Sequence, residues 1–211
     1  MSFALLLAAA AAIFALLWFG ERTGDQPVKW ILKPVASALF IVAALWQGPQ
    51  SRYDWLVVAG LVLSAAGDIA LIPRDRRAFL GGLVAFLMAH VAYTLAFAGR
   101  ADLLALPPGY LLVIGLASLA LYLYFRPHLG RMQAPVAAYV VVITVMLAAA
   151  WAVAADSPGA FGWQVAAGAT LFYLSDVTVA RSRFVPGAGF ANRAIGLPLY
   201  YAAQFLLALS I

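Results

Sequence analysis

The chain has 211 residues, of which 66% are hydrophobic and only 10% carry a charge. A soluble domain has about 25% charged residues, so this chain lacks the polar side chains that would cover a water-facing surface. It has no cysteine, which excludes disulfides and thiolate metal sites, and its net charge of +5 is divided among short segments instead of forming the basic patch that nucleic acid requires. Composition therefore predicts an integral membrane protein that does not bind nucleic acid.

Eight apolar runs are each long enough to cross a bilayer as an α-helix, which needs roughly 20 residues. Pro and Gly residues separate these runs, as at Gly48-Pro49 and Pro107-Pro108-Gly109. We therefore predict an all-α fold in a single domain, residues 1–211, built as a polytopic membrane bundle of eight transmembrane helices. In chain order the predicted spans are residues 2–19, 29–47, 53–72, 79–97, 108–126, 134–155, 161–181 and 191–210.

The third and seventh spans resemble each other. Each carries a small residue followed by an aspartate, Gly67-Asp68 in one and Ser175-Asp176 in the other, and each continues into a segment that contains arginine. Because the two spans are four apart, they run in the same direction across the bilayer, and their aspartates are expected at similar depth. This pattern favours two four-helix halves related as a parallel repeat.

Lysine and arginine are distributed unequally between the two sides of the predicted bundle. Only Arg52 and Arg100 lie on the side of the even-numbered connections. Since basic residues concentrate on the cytoplasmic side, we predict that the odd-numbered connections are cytoplasmic and both termini lie outside, in a bacterial inner membrane. The basic residues on the predicted cytoplasmic side are Arg22, Lys29, Lys33, Arg74, Arg76, Arg77, Arg126, Arg131, Arg181, Arg183 and Arg193.

Asp68 and Asp176 are the strongest candidates for a functional role. An ionisable side chain within a membrane helix costs several kcal/mol unless it is paired or reaches water, so it usually faces an interior cavity. Lys33, at the start of the second span, either extends to the lipid head groups or pairs with one of these aspartates. His90, in the middle of the fourth span, shares a helix face with Tyr93 and either bonds a neighbouring helix or belongs to the site.

Polar residues follow one face of the last span at four-residue steps. Asn192, Gly196, Tyr200 and Gln204 form this stripe, and Tyr201 lies beside it. Such side chains can serve only to join helices by hydrogen bonds, but in a bundle with two buried acids we favour a cavity wall. In the third span, the small residues Gly60, Ser64 and Gly67 indicate close packing against a neighbouring helix.

Four segments carry a resemblance to a known family. Residues 60–72 (GLVLSAAGDIALI), 79–97 (FLGGLVAFLMAHVAYTLAF), 171–184 (LFYLSDVTVARSRF) and 199–210 (LYYAAQFLLALS), with Lys33-Pro34, resemble the YhhN-like membrane proteins, which include the animal lysoplasmalogenases. The resemblance implies an eight-helix bundle that hydrolyses the vinyl ether bond of lysoplasmalogens, releasing a fatty aldehyde and a glycerophospho-choline or -ethanolamine. The sequence departs from the family pattern at Leu197-Pro198-Leu199, where small polar residues are expected.

Vinyl ether hydrolysis requires a proton donor and a group that stabilises a cation, which two carboxyl groups in different protonation states can supply. We predict Asp68 and Asp176 as this acid–base pair, with no metal or other cofactor, acting on a lysophospholipid among membrane lipids. The sequence leaves open which aspartate is the acid, and the oligomeric state. The predicted substrate-binding residues are Lys33, His90, Tyr93, Asn192, Tyr200, Tyr201 and Gln204.

A different function class could use the same aspartates. In a proton-coupled transporter or lipid flippase they would be protonation sites at a repeat interface. A transporter is expected to have pathways to both sides or a helix broken in mid-membrane, and Pro198 is the clearest candidate for such a break. A hydrolase is expected to have a pocket that is closed to one side and long enough for an acyl chain.

Overall fold

A computed structural model describes residues 3–23, 26–73, 75–102, 106–187 and 189–211; Arg74, included above among the cytoplasmic residues, lies outside them. The described residues form eight α-helices and contain no strand, which confirms the all-α prediction. A short 3₁₀ turn, Gly130–Met132, joins the fifth helix to the sixth. The helices are α1 (Phe3–Thr23), α2 (Gln26–Trp46), α3 (Arg52–Ala70), α4 (Arg76–Ala98), α5 (Pro108–Leu129), α6 (Gln133–Asp156), α7 (Ala160–Phe184) and α8 (Phe190–Ala208).

The helix boundaries lie within four residues of the predicted spans. By length and hydropathy, four stretches of the described residues are suited to cross a membrane: Pro27–Trp46, Arg52–Ala70, Arg76–Ala98 and Pro108–Asp156. The last of these contains both α5 and α6. The all-helical fold and these candidate spans agree with a membrane protein, whereas a full set of eight crossings stays a prediction.

Close approach of small residues holds two pairs of helices together. A Cβ added at Gly67 of α3 would lie 2.6 Å from the ring of Phe86 on α4. One added at Gly168 of α7 would lie 2.9 Å from Leu207 on α8. Both distances are shorter than carbon atoms tolerate, so a side chain at either position would require Phe86 or Leu207 to move. The close packing expected of α3 is confirmed at Gly67.

Side-chain contacts identify which helix ends lie together. Lys33, near the start of α2, is 3.5 Å from Asp68, near the end of α3. Asn192, near the start of α8, donates a hydrogen bond to Ser182, near the end of α7. These four helix ends also carry Lys29, Arg183 and Arg193, and we call this the basic end of the bundle. At the opposite end, the start of α3 meets the residues that follow α8.

Helix α8 continues through Pro198 without interruption, from Phe190 to Ala208. Proline removes one backbone hydrogen bond and usually kinks a helix in its interior. Here the helix nevertheless remains a single element, and Tyr200, Tyr201 and Gln204 on its following turns are buried. The broken helix that the transporter hypothesis expected at Pro198 is therefore not formed.

Candidate active site

A cavity of about 610 Å³ lies between the helices toward the basic end. Its wall is mostly apolar and includes Phe79, Phe86 and Phe125, while Asp68 and Asp176 both line it. Asp68 is 4% exposed, and the side chain of Asp176 is 15% exposed. The two aspartates of the repeated pattern therefore share one pocket, as their topology led us to expect.

Asp68 is held by three side chains from two other helices. Ser37 of α2 donates a hydrogen bond to Asp68 Oδ2 over 2.7 Å, and the Tyr200 hydroxyl of α8 donates to the same oxygen over 2.6 Å. The Lys33 ammonium group lies 3.5 Å from Oδ1. Two donors and one cation thus act against the desolvation of a buried carboxylate.

Asp176 has a different environment. The Tyr139 hydroxyl of α6 donates a hydrogen bond to its Oδ2 over 2.6 Å, and His90 Nε2 of α4 lies 3.5 Å from the same oxygen. His90 is completely buried, and its ring packs against Tyr139. Within the described residues, no Lys or Arg side chain forms an ion pair with Asp176. The two carboxyl groups therefore differ in the positive charge around them.

The two aspartates also differ in their distance from the ends of their helices. Asp68 lies two residues before the end of α3, whereas α7 continues for eight residues beyond Asp176. Helix α7 remains helical through Arg181 and Arg183, past the end of its predicted span, whereas α3 ends at Ala70. Helix ends do not define the bilayer, so the similar depth of the two aspartates stays a prediction.

Only some of the predicted substrate-binding residues line this cavity. Lys33 and Tyr200 do, and the contact of Lys33 with Asp68 fits the pairing alternative rather than extension to lipid head groups. His90 contacts Asp176 but does not itself line the cavity. Tyr93 donates a hydrogen bond to Gln204 over 2.8 Å, and both side chains are fully buried away from the pocket lining.

The two remaining predicted residues also lie outside the cavity lining. Tyr201 packs against Phe14 and Tyr200, and it borders a separate apolar groove between α1 and α8. Asn192 joins two helices, because its side-chain amide donates to the backbone carbonyl of Thr178 and to the hydroxyl of Ser182. Of the polar stripe on α8, only Gly196 and Tyr200 line the cavity.

Two further residues contact the aspartates and were not predicted from the sequence. Ser37 lies four residues after Lys33, on the same face of α2, so the assignment of Lys33 could have led to it. Tyr139 lies in an aliphatic stretch of α6, and nothing in its sequence context distinguishes it from a packing residue. In the described part of the chain, no three His, Asp or Glu residues are grouped as a metal site would require.

Comparison of the sequence with known proteins identifies the family of this chain. The YhhN family model matches residues 28–211, which include both aspartates and each of the residues that contact them. This chain belongs to the YhhN family. No solved structure matches it.

Relatives of this YhhN-family chain occur in animals and bacteria. It is 39% identical over 205 residues to the lysoplasmalogenase TMEM86B of Rattus norvegicus, covering 95% of this chain and 80% of that one. It is 33% identical over 196 residues to a lysoplasmalogenase of Mycobacterium tuberculosis, covering 89% and 71%. It is also 29% identical over 185 residues to the uncharacterized membrane protein YhhN of Escherichia coli, covering 87% and 86%.

Proposed function

We propose that this chain is a membrane hydrolase of lysoplasmalogenase type, which cleaves the vinyl ether bond of a lysophospholipid. The observation that carries the proposal is the pair of carboxyl groups, the buried Asp68 and the partly buried Asp176, that line one mostly apolar cavity with different partners. Two relatives from an animal and a bacterium, both named lysoplasmalogenase, support the reaction class.

The partners of the two aspartates support distinct roles. Lys33 compensates the negative charge of Asp68, so Asp68 is assigned as the carboxylate that stabilises a cationic intermediate and orients water. Asp176 has no such cation in the described structure and is assigned as the proton donor. Its contacts with Tyr139 and His90 both fall on Oδ2, which leaves Oδ1 to carry the proton toward the substrate.

The reaction then proceeds by protonation and hydration. Asp176 transfers its proton to the β carbon of the vinyl ether, and the electrons of the carbon–carbon double bond form the new C–H bond. The ether oxygen then shares a lone pair with the α carbon, which gives a positively charged carbon–oxygen double bond. Water adds to this oxocarbenium carbon and loses a proton, which restores the acid. The resulting hemiacetal breaks its bond to the glycerol oxygen, giving the aldehyde and a free hydroxyl group. A pair of carboxyl groups stabilises a similar cation in glycosidases, although the folds are unrelated.

The cavity is suited to a single-chain lipid. Its volume of about 610 Å³ is within the usual range for a small-molecule pocket. The aromatic and aliphatic side chains that line it, including Phe79, Leu83 and Leu121, offer an apolar surface for the hydrocarbon chain. The vinyl ether is the first group of the hydrocarbon chain. A chain bound against this apolar surface would therefore have its vinyl ether next to Asp176, the assigned acid.

The membrane arrangement that we propose has one domain with all eight helices crossing the bilayer and both termini outside. Alternation of the helices along the chain and the excess of basic residues at the basic end support it. In this arrangement the cavity lies at the cytoplasmic side of a bacterial inner membrane.

Aspartate-to-asparagine variants test the proposed function. Asparagine is nearly the same size as aspartate but cannot supply an acidic proton or a negative charge. Asp68→Asn and Asp176→Asn should each reduce aldehyde release from a 1-alkenyl lysophospholipid by roughly 10²–10⁴-fold, the usual cost of losing a general acid or base. The double variant should be little worse than either single variant, because the two groups act together.

Asp75→Asn is the matched control. Asp75 is exposed and caps the start of α4 through hydrogen bonds from the backbone of Arg77 and Ala78, and asparagine caps a helix equally well. This variant should retain full activity. Folded Asp68→Asn and Asp176→Asn proteins with normal turnover would contradict the proposed mechanism.

A further inference from the structure

Charged side chains are confined to one part of the cavity wall. Among the described residues that line the cavity, those with a charge belong to α2, α3, α7 and α8, whereas α4, α5 and α6 contribute only uncharged side chains. The lining residues of α5 and α6 are Leu121, Phe125, Val136, Tyr139, Val140 and Ile143. The side of the cavity formed by α5 and α6 is therefore suited to a hydrocarbon chain.

The carboxyl group assigned as the proton donor lies against this apolar side. Tyr139 of α6 donates a hydrogen bond to Asp176 over 2.6 Å. Val136 and Ile143 lie three residues before and four residues after Tyr139, so all three share one face of α6. A vinyl ether placed at Asp176 would therefore continue as a hydrocarbon chain along this face of α6.

The apolar side of the cavity ends about one helical turn beyond Asp176, away from the basic end. On α6 the last lining residue is Ile143, four residues after Tyr139, which is about 6 Å along the helix axis. Met146, three residues further along α6, is completely buried in the core and does not line the cavity. The core below Ile143 therefore leaves no further room for a chain in this direction.

A hydrogen bond between α5 and α7 closes the same end of the cavity. Tyr173 lines the cavity three residues before Asp176 on α7, and its hydroxyl oxygen lies 2.8 Å from that of Ser118 on α5. Ser118 is buried and does not itself line the cavity. Its contact fixes the position of the Tyr173 hydroxyl, and we call Ile143 and Tyr173 together the end wall.

We infer that the end wall, Ile143 and Tyr173, terminates a binding compartment for the hydrocarbon chain and determines which chain lengths the protein accepts. The inference rests on the proposed function for the identity of the lipid. Each methylene group buried in the compartment adds affinity, whereas a chain longer than the compartment must leave carbons outside or displace the wall. The carboxyl groups thus perform the reaction, and the end wall selects among chains that carry the same reactive group.

Substitution of Ile143 tests the end wall, because it changes the space available without adding a polar group. Alanine has three fewer side-chain carbons than isoleucine, and phenylalanine has three more. The probes are 1-O-alkyl lysophosphatidylethanolamines, whose saturated ether cannot be hydrolysed by this route, in a series whose chains lengthen in steps of two carbons. Their binding reports the compartment independently of catalysis.

The affinity of the wild type should rise with chain length to an optimum and then rise no further. Ile143→Ala should move this optimum to longer chains and Ile143→Phe to shorter ones, in each case by about two carbons, because the wall recedes or advances by a similar volume. A buried methylene group changes the affinity roughly fourfold, so each shift should be measurable.

Val145→Ala is the matched control. Val145 lies two residues after Ile143 on α6, but it is exposed and does not line the cavity. This variant should keep the wild-type optimum. All variants are compared in one detergent, so each lipid partitions equally into the micelles for every protein. Thermal unfolding should verify that each variant is folded, and Ile143→Val, with a smaller shift in the same direction, replaces an alanine variant that does not fold.

An affinity that rises with chain length without an optimum in the wild type would overturn the inference. An unchanged optimum in folded Ile143 variants would do the same, as would an equal shift in Val145→Ala. Failure of the proposed function would be recognised separately, as absence of aldehyde release from a 1-alkenyl lysophospholipid by a protein whose optimum for the alkyl lipids still shifts.

Discussion

Tyr139 and Tyr200 give each aspartate a hydroxyl donor at 2.6 Å. Such a donor fixes the orientation of a carboxyl group and selects which of its oxygens is free to react. The two tyrosines come from different helices, α6 and α8, so each carboxyl group is positioned by a helix other than its own. In the proposed mechanism, the geometry of the two carboxyl groups therefore depends on hydroxyl groups that do not themselves exchange a proton with the substrate.

Tyr139→Phe tests this dependence, since it deletes only the hydroxyl that contacts Asp176. We expect kcat for aldehyde release to fall by roughly 3- to 10-fold, in line with the net value of one hydrogen bond. KM should change little because the phenyl ring keeps its place in the wall. Steady-state kinetics on the folded variant would measure both.

Tyr53→Phe is the control for Tyr139→Phe. Tyr53 is also buried and bonds Ser210 through its hydroxyl over 2.7 Å, but at the opposite end of the bundle. Its loss should affect stability alone. A fall in kcat of the same size in both variants would assign the effect to general loosening of the bundle rather than to positioning of Asp176.

The sequence was informative about charged residues and less so about neutral ones. Asp68, Asp176 and Lys33 stand out because a charge is costly in an apolar helix, and the structure places all three at one cavity. Tyr139 could not be distinguished, because a tyrosine is common in membrane helices. Tyr93 and Gln204 were equally ambiguous, and the structure joins them to each other instead. Which polar groups face one another depends on helix rotation, which a single sequence does not specify.

At the scale of the elements, glycines allow the catalytic helices to approach their neighbours. Gly67 directly precedes Asp68 and lies against the Phe86 ring, which also lines the cavity. The spacing of small residues along α3 predicted this approach without indicating the partner. Helix boundaries were also predictable, because they depend on local features of the sequence, the apolar runs and the Pro and Gly residues between them.

Gly67→Ala should destabilise the bundle, because the new methyl carbon would lie 2.6 Å from the Phe86 ring. Overpacking of this kind typically costs about 1–3 kcal/mol. A lower thermal unfolding midpoint in detergent, together with reduced activity from displacement of Asp68, is the expected result.

Gly81→Ala on α4 provides the comparison for Gly67→Ala. A Cβ at Gly81 meets no atom within 4 Å, so alanine should be neutral or slightly stabilising there through its higher helix propensity. Equal unfolding midpoints for the two alanine variants would show that α3 and α4 adjust easily, and the close contact would then have no structural importance.

At the scale of the whole molecule, the cavity opens at the same end of the bundle where the basic residues are concentrated. Arg183 and Arg193 of the cavity lining are exposed, whereas Asp68 is buried and Asp176 is partly buried, so the pocket opens toward the basic end. If the basic end is cytoplasmic, the substrate enters from the cytoplasmic leaflet and the polar product leaves into the cytoplasm. Membrane sidedness thus determines which lipid pool the protein uses.

The absence of native cysteine makes this arrangement testable by labelling single cysteines in intact cells. With a membrane-impermeant maleimide, Gln50→Cys and Ser157→Cys should be labelled directly, since they follow α2 and α6 on the predicted outer side. Arg131→Cys and Arg181→Cys, at the ends of α5 and α7, should be labelled only after permeabilisation. The Arg131 and Ser157 sites bracket α6 and therefore test whether α5 and α6 cross separately. Labelling of all four sites from one side would contradict the eight-crossing arrangement, and a reversed pattern would place the opening of the cavity at the outer side.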